Sequence, residues 1–149
     1  MRRWRPWAKD EEGSAALEFI AAGVLLLVPL VYLVIALGAV QEQTLGAEAA
    51  ARHTARAISQ AADQGAANAR AEAVLASVRD EYGMSDVDVA LSCVPAGGAC
   101  PRAGATVVVT VSTRVTLPFM PPVAGLDQLT AIPIEASAAQ KTSRLWGAG

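Results

Sequence analysis

The chain has 149 residues, which is enough for one domain together with one membrane segment. Its composition is 53% hydrophobic, which is high for a soluble domain of this length, and its formal net charge is −2. This charge gives no electrostatic basis for binding nucleic acid, so no nucleic-acid partner is expected.

Residues 1–13 form a short charged leader, and an apolar segment follows at once. Residues 14–40 are predicted to be a transmembrane helix, because the run from Phe19 to Val40 holds no charged residue. As a helix this run is about 33 Å long, which matches a hydrocarbon core of roughly 30 Å. Pro29 lies within it and predicts a mild kink, because proline lacks a backbone N–H.

Basic residues are concentrated on one side of the apolar segment. Four of them precede it, between Arg2 and Lys9, and none follows it before Arg52. By the positive-inside rule this asymmetry places the N-terminus in the cytoplasm and the chain from Gln41 onward outside. The expected location is therefore the cytoplasmic (inner) membrane, which the chain crosses once.

Residues 41–82 are rich in alanine and contain no proline, which predicts that the helix continues beyond the membrane. Their apolar side chains are mostly small and form a narrow stripe that can pack closely on another helix or on a sheet. The stretch Asp63-Gln64-Gly65 predicts a break, after which Asn68 is expected to cap a second helical piece. Gly83 is expected to end that piece.

Residues 83–149 change to a hydrophobic period of two, which predicts a small β domain with a polar, loose C-terminal tail. Strands are expected at Asp86–Ser92 and at Thr106–Leu117, paired as an antiparallel hairpin. A third strand, from about Thr130 to Ala138, contains Pro133 and is therefore expected at an edge of the sheet. The predicted fold class is α+β, with the long N-terminal helix packed on a three-stranded antiparallel sheet.

The two cysteines, Cys93 and Cys100, flank a turn-rich stretch between the first two predicted strands. On the external side of a membrane, an oxidising compartment favours a disulfide between them over two free thiols. Their spacing does not make a zinc site, and His53 is the only histidine that could be added to it. The sequence has no nucleophile motif and no glycine-rich phosphate loop, so we expect no enzymatic activity, no metal and no cofactor.

The most specific signal lies where the charged leader meets the apolar segment. Gly13 is followed by four uncharged residues and then by Glu18-Phe19, which puts one carboxylate inside the mouth of the predicted span. An ionised group at that depth is costly and indicates a functional residue. This pattern resembles the prepilin peptidase site of type IV pilins, and the Glu-Phe pair resembles TadE-like minor pilins of the tight-adherence (Flp) system.

The resemblance to TadE-like proteins extends from Gly13 to roughly Lys141. It includes the proline within the apolar helix, the segment Ala50–Arg56 and the Val/Thr-rich strands. The acidic Asp10-Glu11-Glu12 departs from the basic or polar residues that this family usually has before the glycine.

Membership of this family implies a membrane-anchored minor pilin or pseudopilin that is cut between Gly13 and Ser14 and then joins a pilus or a related secretion filament. Glu18, followed by Phe19, would act in assembly, because its carboxylate can approach the new amine of Ser14 in a neighbouring subunit. The implied partners are the prepilin peptidase, other TadE- or TadF-like pseudopilins, the major Flp pilin and the membrane assembly platform with its ATPase.

Other interpretations of these segments stay open at this stage. Glu18 can belong to a plain single-pass anchor that presents a small external binding domain, with the glutamate reaching toward the membrane surface. A signal peptide cut near Ala36–Ala39 is a further alternative, although the apolar run is longer than the apolar core (h-region) of a typical signal peptide. The loop 117–126 exposes Phe119 and Met120, which either contact a partner subunit or cover the end of the sheet.

Overall fold

The structure is a computed structural model that describes residues 11–118 and 131–147. Two α-helices precede three β-strands in the chain. The first helix, α1, runs from Glu11 to Ser59 and continues through Pro29. By length and composition, its portion from Ser14 onward is able to cross a membrane, a property that a signal sequence near the N-terminus shares.

Two compact units divide the chain, and the boundary falls within α1. The N-terminal unit, Met1–Leu37, contains the apolar part of α1. Its large side chains are mostly exposed, and Leu17 and Phe19 keep 70% and 80% of their surface accessible. Among the described residues of this unit, therefore, nothing covers the apolar surface of the segment.

The C-terminal unit, Gly38–Gly149, contains the hydrophobic core of the protein. In α1 the buried residues recur every three or four positions and so form one stripe along the helix. Most of them are alanines, whose short side chains let the helix axis approach its neighbours closely. The stripe consists of Ala47, Ala50, Ala51, Thr54, Ala55 and Ile58.

The break between the helices falls at residues 60–63, so it overlaps the predicted stretch 63–65 only at Asp63, and its capping residue also differs from the prediction. The second helix, α2, runs from Gln64 to Glu81, and its N-cap is Asp63. Asp63 Oδ1 accepts a hydrogen bond from the backbone N–H of Ala66 at 2.8 Å. Asn68 therefore lies inside α2, and the prediction that it caps the helix is wrong. The helix starts earlier because an extended Asp63 already satisfies one of its free N–H groups.

The end of α2 matches the prediction made from Gly83. This glycine has a φ of 59°, a left-handed conformation that costs other residues more. The backbone N–H of Met84 then donates to the carbonyl oxygen of Arg79 at 3.0 Å, which is the Schellman arrangement. Met84 is buried and turns the chain back into the core.

The sheet is three-stranded and antiparallel, with the order β1-β2-β3. Strand β1 spans Val87–Val94, β2 spans Thr106–Val115 and β3 spans Ile132–Lys141. Strand β2 therefore ends two residues before the predicted Leu117. Strand β3 extends three residues beyond the predicted Ala138 and lies at an edge, as Pro133 predicts.

Burial alternates cleanly along β2, because this strand is central and one of its faces packs on the helices. Val107, Val109 and Val111 have no accessible surface. Their neighbours on β1 are less covered, since Val89 and Leu91 stay 40% and 39% exposed. The predicted phase of the first strand is correct, but at the sheet edge the core covers it only in part.

The C-terminal tail is held to the core as far as Gly147, the last residue that the structure describes, contrary to the expectation of a loose segment. Thr142 is 2% exposed, and the Trp146 side chain packs against the core cluster. The backbone N–H of Gly147 donates to the carbonyl oxygen of Ala62 at 3.0 Å, in the turn between the helices. These contacts are long-range, so composition alone did not indicate them.

Candidate functional site

Gly13 and Ser14 lie in α1, close to the start of its range Glu11–Ser59. Glycine disfavours helix by about 1 kcal/mol relative to alanine. The Gly13–Ser14 bond therefore lies in a helical backbone that glycine weakens locally.

Glu18 lies one turn after Ser14 in α1, and both residues are exposed. Residues spaced i,i+4 share one face of a helix, and the rise between them is about 6 Å. Phe19 is the next residue along the helix and is 80% exposed. The structure thus presents the hydroxyl, the carboxylate and the aromatic ring at the start of an uncovered apolar segment.

The cysteine pair closes the loop between β1 and β2. The Sγ atoms of Cys93 and Cys100 are 2.13 Å apart and their Cα atoms 5.7 Å apart, which is a disulfide pairing. Cys93 is on β1, opposite Val107 of β2. Inside the loop, the Arg102 side chain donates to the carbonyl oxygen of Pro95. The disulfide and this hydrogen bond together restrain the turn.

A groove of about 380 Å³ runs between the last turns of α1 and the C-terminal half of α2. Ala57, Val74 and Val78 form its apolar floor, and His53 and Glu81 are among the polar groups at its rim. His53 is exposed at this rim. No cluster of three or more His, Cys, Asp or Glu residues suited to a metal is found in the described part of the chain.

Gly46 is a residue that sequence reasoning missed. A Cβ atom added there would lie 2.9 Å from the Met84 sulfur and from two side-chain carbons of Tyr82. The side-chain nitrogen of Gln43, one turn earlier, donates to the Tyr82 carbonyl oxygen at 3.0 Å. The available signal was a lone glycine in an alanine-rich helix, which indicates close approach of another chain segment.

Of the remaining predicted contact residues, Phe119 and Met120 lie outside the described residues. No protein-family model, curated protein or solved structure matches this chain.

Proposed function

We propose that this chain is a membrane-anchored, TadE-like minor pilin or pseudopilin that takes part in assembling a tight-adherence (Flp) pilus or a related secretion filament. The observation that supports this proposal is the placement of Ser14 and Glu18. They lie one turn apart in α1, directly after a glycine and at the start of an apolar segment whose side chains are exposed. A carboxylate at the mouth of a membrane span needs a partner charge.

Cleavage after Gly13 would supply that partner as the free amine of Ser14. Within one chain, the amine and the Glu18 carboxylate would be a full turn apart along the axis. Between neighbouring chains, a small axial shift would bring one subunit's carboxylate to the other subunit's amine. Such a pair offsets part of the cost of placing both charges among lipid tails or packed helices. The charge pair would therefore favour one axial register between subunits.

The topology in this proposal follows from charge and cysteine chemistry. The leader with its four basic residues stays in the cytoplasm, where the prepilin peptidase can reach the Gly13–Ser14 bond. The C-terminal unit lies outside, where the Cys93–Cys100 disulfide is stable. Its partners are other TadE- or TadF-like pseudopilins, the major Flp pilin and the membrane platform with its ATPase.

The proposal is tested by the intact mass of the membrane-bound chain and by piliation of two variants. We expect the wild-type chain to begin at Ser14, Gly13→Ala to keep the leader, and Glu18→Ala to be cleaved but to assemble poorly. Glu48→Ala is the matched control, because it removes an exposed carboxylate from the same helix outside the apolar segment. Normal piliation in both the Gly13 and the Glu18 variants would refute the mechanism.

The same mass measurement separates the alternatives. A full-length chain would support a plain single-pass anchor that presents the C-terminal unit as a binding module. The groove between α1 and α2 is the structural feature that favours this second function. A chain that begins near Val40 would instead indicate a secreted protein.

A further inference from the structure

A small polar pocket lies beside the point where α1 leaves its apolar run, within the C-terminal unit. It encloses about 130 Å³, and its walls include Ala39 and Glu42 of α1 together with Ser85, Arg114 and Thr116. The uncharged run of α1 ends between Ala39 and Glu42, which are spaced by less than one turn. If α1 spans a membrane, this wall of the pocket lies at the level of the lipid head groups.

Arg114 provides hydrogen-bond donors to this pocket. Its Nη1 donates to Asp86 Oδ2 at 3.1 Å, and its side chain is 62% exposed. No other hydrogen bond from this guanidinium is found among the residues that the structure describes, so its remaining N–H groups are available to a second acceptor. A planar guanidinium suits phosphate, and the hydroxyl groups of Ser85 and Thr116 add donors at the same pocket.

Glu42 determines which phosphate compounds fit. The charges of Arg114, Asp86 and Glu42 sum to −1, so a phosphate without a positive group would experience net repulsion. A ligand that carries an ammonium group beside its phosphate matches both signs of charge. Its ammonium N–H groups would donate to the Glu42 carboxylate while its phosphate accepts from Arg114.

We propose that this pocket binds the phosphoethanolamine head group of a membrane lipid, with the phosphate at Arg114 and the ammonium at Glu42. The inference rests on the membrane span of the proposed function, but not on cleavage after Gly13. Phosphatidylcholine fits less well, because its quaternary ammonium has no N–H to donate. Phosphatidylglycerol fits less well because it brings no positive charge to Glu42.

The test uses the full chain in lipid nanodiscs that contain equal amounts of phosphatidylethanolamine, phosphatidylglycerol and phosphatidylcholine. Native mass spectrometry then identifies the lipids that leave the disc bound to the protein. We expect the ethanolamine lipid to be retained about tenfold over each of the others, the factor expected for one charge-assisted hydrogen bond.

Three variants assign that selectivity to the pocket. Arg114→Gln should abolish retention of the ethanolamine lipid, and Glu42→Gln should abolish its preference over phosphatidylglycerol. Asp86→Asn should keep binding of phosphatidylethanolamine and raise binding of phosphatidylglycerol. Because it breaks the same ion pair as Arg114→Gln, it also controls for the loss of that pair. Arg144→Gln and Glu72→Gln remove exposed charges elsewhere in the unit and should change nothing.

Equal retention of the three lipids by the wild type, or unchanged retention by Arg114→Gln, would overturn the pocket assignment. Equally tight binding of soluble glycerophosphoethanolamine by the detergent-solubilised chain would overturn the membrane source of the ligand. Release of the chain from membranes by alkaline carbonate would overturn the span itself. If the chain is not cleaved after Gly13 but still selects phosphatidylethanolamine, this inference stands and only the pilin proposal is contradicted.

Discussion

Replacing Gly46 with alanine is expected to destabilise the C-terminal unit by about 1–2 kcal/mol, although alanine is the better helix former. The helix propensity of alanine favours the variant by about 1 kcal/mol. Against this, the added Cβ would lie 2.9 Å from three side-chain atoms of Met84 and Tyr82. Two of those atoms are the Cβ and Cγ of Tyr82; the Cβ cannot move without the backbone, and the Cγ can move only by rotation of χ1.

Overpacking of this kind costs about 1–3 kcal/mol. A displaced Tyr82 would also weaken the hydrogen bond between its carbonyl oxygen and the Gln43 side chain, worth about 1 kcal/mol. The sum of these terms exceeds the gain in propensity. A Gln43→Ala variant tests this coupling, because adding Gly46→Ala to it should cost less than in the wild type.

The assay is hydrogen exchange of the β2 amides in the detergent-solubilised full chain, since these amides report opening of the core and not of the apolar helix. Gly38→Ala is the matched control. Gly38 lies in the same helix as Gly46, but a Cβ added there would meet no atom within 4 Å. We expect the control to exchange as slowly as the wild type or more slowly. A Gly46→Ala variant as protected as the control would show that the close approach is not a constraint on stability.

Three further changes test the core, the helix cap and the disulfide with the same exchange assay. Val109→Ala should lower the free energy of unfolding by about 2 kcal/mol, because this side chain is fully buried. Val89 is 40% exposed, so Val89→Ala should lower it by about 1 kcal/mol or less. Equal losses would contradict the partial cover of β1. Asp63→Ala should destabilise α2 by about 1 kcal/mol, and Asn68→Ala should change it by less than about 0.5 kcal/mol; the reverse order would restore Asn68 as the cap. Cys93→Ser should destabilise the β1–β2 hairpin by about 2 kcal/mol, and reduction of the wild type should have the same effect; protection that survives both changes would count against a stabilising disulfide.

Much of the fold follows from local patterns in the sequence. The period of two in the Val/Thr-rich segments predicts the strands, and their alternation sets which side of β2 faces the core. The pairing of Cys93 with Cys100 follows from a short turn-rich loop between neighbouring strands. The end of α2 follows from Gly83, because its left-handed backbone favours glycine.

The errors in prediction share a cause, which is that the competing residues are equivalent locally. Asp63 and Asn68 are both good N-caps, and Asp63 is the one used because its backbone is extended and its side chain accepts from the Ala66 N–H. The tail beyond Lys141 reads as polar and loose, yet Trp146 packs against the core and Gly147 bonds to Ala62. Such contacts join residues far apart in sequence, so no local period records them.

By itself, the sequence determined the α+β class, the apolar helix, the pairing of the first two strands and the position of Glu18 four residues after Ser14. These properties depend on neighbouring residues, since helix and strand periods and charge placement are local. Only the tertiary structure decided that Gly46 allows Tyr82 to approach α1, that β1 is covered only in part, and that Glu42 and Arg114 line one pocket. Those properties depend on packing between distant segments, where the shape of one surface fixes what the other can hold.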